Sequence, residues 1–157
     1  SWQMSTLPPP EIRSPFPVLS DLSLIRYPGF ADMQEAKALS DVMERKFAVH
    51  LKHGIHLIIV QDQDGSLIIG DSHAYGDQAL PFQSEQVDKL LLSTFRALLP
   101  GVEAEVCERW MGSYVCAKDG IAFSEEINEG VYAIEITTGA GMSLAFGFAE
   151  EVLNHSI

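Results

Sequence analysis

Two apolar runs around an Asp-Gly turn constrain this chain more than any other feature. Ile55-His56-Leu57-Ile58-Ile59-Val60 is strongly β-prone, Asp62-Gln63-Asp64-Gly65 interrupts it, and Leu67-Ile68-Ile69-Gly70 follows. β-Branched side chains suit a pleated surface, and glycine supplies the positive φ that a tight reversal needs. The pattern predicts an antiparallel hairpin. Asp71-Ser72-His73-Ala74-Tyr75-Gly76 then reads as a polar loop leaving its end.

The flanking segments fill in around that hairpin. Five of the eight prolines fall in residues 1–20 (Pro8, Pro9, Pro10, Pro15 and Pro17), so this stretch is expected to be extended, along a sheet edge. Leu22–Tyr27 reads as a short strand stopped by Pro28-Gly29. Helices are predicted over 33–49 and 84–98. The second is capped by Ser84 and carries Val87, Leu90, Leu91, Phe95 and Leu98 on one face. Residues 102–110 and 113–118 read as strands broken near Gly112, and Val131–Ile136 as another. Met142–Leu153 reads as a helix apolar on most sides, either buried or awaiting a partner. This order predicts an α+β fold with a mainly antiparallel sheet flanked by helices.

The chain has 157 residues, enough for a sizeable core, and its 10 basic against 22 acidic residues give a net charge of -12. That balance argues against nucleic acid and anionic membranes as partners. No apolar stretch approaches the ~20 residues of a membrane span. Cys107 and Cys116 match neither a metal spacing nor a disulfide framework, which points to reduced thiols in a cytoplasmic protein. Ser1-Trp2-Gln3-Met4 lacks the features of a signal peptide and does not read as an initiation site, so the chain is expected to be a piece of something longer.

Several constellations could carry chemistry. Val131–Ile136, Gly139-Ala140-Gly141 and the following helix form a strand–Gly-x-Gly–helix unit. A helix N-terminus offers unpaired N–H groups to an anion or a carbonyl. The spacing is not GxGxxG, and no acidic residue follows where a dinucleotide site needs one. His50, His53 and His56 suggest a metal set, but Gly54 intervenes and no nearby carboxylate or cysteine completes it, so surface and strand histidines are expected. Asp71, Ser72 and His73 stand side by side, yet adjacent residues on an extended chain point apart and form no triad. His73 facing a ligand from a loop is the alternative. In Glu108–Tyr114, Trp110 and Tyr114 are expected on one strand face and Arg109 on the other, while Glu125-Glu126 near Glu129 reads as a solvated turn.

Three stretches, in this order, carry a resemblance: Gly65–His73, Glu108–Gly112, and Gly130-Val131-Tyr132 leading to Thr138–Ser143. The chain resembles the second half of FAD-dependent oxidoreductases of the D-amino-acid oxidase, glycine oxidase and sarcosine oxidase superfamily. It looks most like the bacterial subgroup associated with phosphonate metabolism. The resemblance implies a substrate-binding domain over 1–128 and the terminal βα unit of an FAD domain over 129–157. The N-terminal FAD-binding half would be missing, and the piece inactive alone. Its partners would be a small amine substrate and that missing half or a second copy of the chain. By resemblance, Thr138, Gly139, Ala140, Gly141 and Met142 would approach the flavin, and Tyr27, His56, His73, Arg109 and Tyr114 would line the substrate pocket. Relatives that oxidise α-amino acids carry an arginine where this chain has Tyr114. A different anchor, Arg26 or Arg109, or a different acid group such as a phosphonate is therefore expected. A non-catalytic α+β binding module derived from such an enzyme is the alternative.

Overall fold

The computed structural model describes residues 1–7, 11, 13–76, 82–103 and 105–156. Two compact units divide the chain, Ser1–Gly112 and Ser113–Ile157. The first holds a five-stranded antiparallel sheet of β1 (Trp2–Leu7), β2 (Val18–Leu19), β3 (Ile58–Gln61), β4 (Leu67–His73) and β5 (Glu108–Gly112). Their order across the sheet is β2-β3-β4-β1-β5. Helices α1 (Asp21–Leu24), α2 (Pro28–Ala31), α3 (Gln34–Lys52) and α4 (Glu85–Leu98) accompany it. The α+β architecture is the expected one.

The hairpin forms as its residues dictate. Gln61 pairs with Leu67 and Ile59 with Ile69. Gly65 takes φ +91, and Asp64 Oδ1 accepts from the Ser66 amide at 2.8 Å, which closes the turn. On one face of the sheet, Leu7, Ile59, Leu67 and Ile69 are buried with Val87, Leu91 and Phe95 of α4. Leu98, expected on that helix face, turns outward. Ser84 caps α4 by accepting from the Val87 amide at 3.4 Å. In the next turn, the buried carboxylate of Asp88 accepts from Gln3 of β1 and from Arg109 of β5.

Four expectations for this unit are corrected. The N-terminal stretch meets a sheet edge only at β2, just after Pro17; β1 pairs on both sides, and the other edge strand is β5. Pro8, Pro9 and Pro10 lie outside the described residues. Leu22–Tyr27 is not a strand. It has no strand partner among the described residues, and α1 forms beside Leu57, whose carbonyl accepts from the Ser20 amide at 2.8 Å. The strand after α4 begins only at Glu108, and 113–118 form none. Asp71–His73 is not loop but the end of β4, because β1 and the segment before β3 both bond to it.

The second unit contains β6 (Ala122–Asn128) paired with β7 (Val131–Ile136), followed by α5 (Gly141–Ser156) packed on β7. Glu125 and Glu126 thus stand on a strand rather than in a turn; the reversal comes at Gly130, φ +70. Strand pairing outweighs local acidity there, since the exposed glutamates remain in water. The expected boundary at 128 falls inside this hairpin. No helix among the described residues is long and apolar enough to cross a membrane. α5 nevertheless leaves Met142 98% and Phe146 88% exposed.

Candidate functional site

A bulge in β4 builds the site. Met4 lies opposite Gly70 and Gln3 opposite Ser72, so Asp71 is the extra residue. A bulge re-aims a side chain, and here it changes the pairing on the other side too. The β3–β4 register would carry His56 to Ser72; instead His56 and Asp71 exchange both backbone hydrogen bonds, each 3.1 Å. Residues paired directly opposite present their side chains to the same face, and His73 follows two positions on.

The result is a half-buried cluster in the first unit. His56 Nε2 lies 2.9 Å from Asp71 Oδ1, and His73 Nε2 lies 3.4 Å from Asp71 Oδ2. The two imidazoles stack at 5.3 Å between centroids, and Tyr27 meets His56 edge-on at 5.4 Å. Tyr75 stacks on His73 at 6.2 Å and accepts a hydrogen bond from Arg26 at 2.7 Å. Behind His56, Ser23 Oγ is 3.2 Å from Nδ1 and fixes the ring's roll. Gly54 allows the close approach: its φ is +60, and a Cβ there would lie 2.6 Å from the His73 carbonyl oxygen.

Electrostatics follow from this packing. Burial pushes the His73 pKa down to about 4, against the opposing pull of Asp71. Burial first, and then the Asp71 charge, raises the Tyr27 phenol above its ordinary value.

Tyr27, His56 and His73, each expected on the substrate side, therefore stand in one cluster. Ser23 and Tyr75 join them unforeseen, and Asp71, noted in the sequence only as a neighbour of His73, joins them through its pairing with His56. The expectation that no carboxylate accompanies the histidines is corrected, because the bulge brings Asp71 to His56. His50 and His53 are not involved: His50 Nε2 meets Thr94 Oγ1 at 3.0 Å, and His53 caps α3. Ser23, His56 and Asp71 form a serine–imidazole–carboxylate chain, but Ser23 is 1% exposed and cannot reach a substrate as a nucleophile.

The other expected residues are placed differently. Arg109 is engaged as the partner of Asp88. Tyr114 lies beyond the end of β5, in the second unit, so it shares no strand face with Trp110. There it covers one side of Gly139, whose Cβ would come 3.2 Å from Tyr114 Cζ.

Thr138–Met142 forms the entry to α5. Thr138 Oγ1 accepts from the Ala140 amide at 3.2 Å. Neither Gly139 nor Gly141 has a positive φ, so their role is space rather than an unusual turn. A Cβ on Gly141 would meet nothing within 4 Å among the described residues, and Met142 points outward. The Ser143 and Leu144 N–H groups bond the Ala140 carbonyl at 3.0 Å, which leaves those of Gly141 and Met142 at the positive end of α5. The entry is thus open at Gly141 and closed by Tyr114 at Gly139.

The family described as FAD dependent oxidoreductase matches residues 6–154. Comparisons with curated proteins and with solved structures give no match. Because the match spans almost all of its length, the chain belongs to the FAD dependent oxidoreductase family.

Proposed function

We propose that this chain is the substrate-facing part of an FAD-dependent enzyme that oxidises a C–N bond in a small amine, amino acid or aminophosphonate. The observation that carries the reading is the family match running through the open entry to α5. When bound, the flavin supplies the hydride acceptor. Gly139, Ala140, Gly141 and Met142 would border its electron-rich edge, where a helix N-terminus stabilises developing negative charge by about 0.3–2 kcal/mol. Thr138 holds that entry in shape through its bond to Ala140.

On the substrate side, Tyr27 and His73 supply a polar, ring-lined wall, and the buried His56 supports it from behind. Arg109 is committed to Asp88, so the anion of an amino acid or aminophosphonate falls to Arg26, which Tyr75 holds near His73. In this reading residues 1–128 serve the substrate and 129–157 complete the FAD site. The strand–GxGxxG–helix unit that holds the ADP part lies outside these 157 residues. The chain resembles the phosphonate-associated subgroup of such enzymes.

The test is the polypeptide extended through its upstream reading frame. It should purify with a flavin spectrum that amines, tried under anaerobic conditions, bleach. A folded extended protein that holds no flavin would instead establish the non-catalytic module.

A further inference from the structure

We propose that His56, Asp71 and His73 bind a divalent first-row transition ion of the zinc type. Each offers one ligand atom, and the three atoms lie within 4.8 Å of one another. Zinc bonds of about 2.0–2.2 Å in a tetrahedron set ligand atoms roughly 3.3 Å apart. His56 Nε2 lies 2.9 Å from Asp71 Oδ1 and His73 Nε2 lies 3.4 Å from Asp71 Oδ2, so each imidazole stands near that spacing from one oxygen of the shared carboxylate. Two imidazoles and one carboxylate are ligands common to zinc and its neighbours, and three protein ligands leave a position open for water or an anion.

Two further observations point to a ligand. His56 is 1% exposed, yet His56 Nε2 and Asp71 Oδ1 are buried atoms without a hydrogen-bond partner among the described residues. They are close enough for a hydrogen bond but not aligned as one, so each keeps a lone pair or proton uncommitted. An unsatisfied buried carboxylate oxygen is costly, and an ion between the two atoms removes that cost. No lysine or arginine pairs with Asp71 among the described residues; Arg26 turns to Tyr75 instead. Behind the cluster, the Ser23 hydroxyl meets His56 Nδ1, leaving Nε2 as the ligand atom. An outer partner on the far nitrogen is the usual way a ligating histidine is oriented.

The inference goes beyond the flavin reading and does not depend on it. Its test uses the untagged full chain, stripped of metal and titrated with Co2+ in a buffer that does not chelate. One equivalent should give the visible d–d absorption of a low-coordinate cobalt site, which Zn2+ then displaces. Asp71→Asn and His73→Gln should abolish the band while circular dichroism stays unchanged, and His53→Ala should keep it. Ser23→Ala should weaken binding by about 10-fold, the usual effect of losing an outer partner. No band in the folded wild-type chain, or an undiminished band in folded Asp71→Asn, would overturn the site.

Discussion

Arg109→Met tests whether this arginine is a structural counter-ion or a free anion clamp. Asp88 is 3% exposed in its side chain, and both its oxygens are engaged, one by Gln3 and one by Arg109. Removing one partner of a fully buried pair costs about 3–5 kcal/mol. Here the Arg109 side chain is 39% exposed and Gln3 keeps its bond, so the loss lies nearer the value of one hydrogen bond to a charged group, about 2 kcal/mol. With a urea slope of about 1–3 kcal/mol/M, the midpoint should fall by roughly 1 M at unchanged slope. Tryptophan fluorescence is the suitable readout, because Trp2 and Trp110 both belong to the first unit. Asp88→Asn in the Arg109→Met background should recover much of the loss, since no charge then remains buried. A midpoint that moves by less than a tenth of the expected shift would refute the counter-ion role and return Arg109 to the substrate.

Three further outcomes follow from the packing. Gly54→Ala should destabilise the first unit by at least ~2 kcal/mol in the same assay, from a positive φ and a Cβ forced onto the His73 carbonyl. Phe95→Ala, at a fully buried site of α4, should cost about 3–5 kcal/mol; a loss under half of that would mean the helix is not packed on the sheet as described. His50 has its pKa lowered, chiefly by burial, so protonation favours the unfolded chain. Its contribution to stability is complete above pH 6.5 and is lost as pH falls through the lower folded value. His50→Gln should flatten the stability–pH curve in that window, and an unchanged curve would argue against the buried imidazole.

The β3–β4 hairpin, α4 and β7 were legible because local chemistry and tertiary packing agree in them. Asp-Gly makes the turn, Ser84 makes the cap, and the alternating or helical runs of apolar residues become the buried faces. Elements governed by distant partners were not. Nothing local places Trp2–Leu7 between two strands, and the acidic β6 is a strand because β7 pairs with it. Ile25 and Tyr27, just after α1, are β-prone enough to mislead, and the docking of Ser20 on Leu57 is what starts the helix instead. At the site, Tyr27, His56 and His73 could be singled out as ligand-facing types, but Asp71 could not. Strict alternation would have put Ser72 opposite His56. A one-residue register shift is invisible in hydrophobic patterning when the residues concerned are Gly-Asp-Ser.

The position of β1 has a consequence for how the first unit comes into being. Its first partner lies some sixty residues along the chain at β4, and its second, β5, does not begin until Glu108. The ribosome therefore exposes β1 first and supplies its neighbours last. A hairpin of β3 and β4 can close within moments of its synthesis, whereas the strand meant to join it must be kept from pairing elsewhere until then. Such distant pairings are slow to form and leave unpaired edges open to aggregation. The strand order of this unit thus postpones the closing of its sheet until β5 has been made.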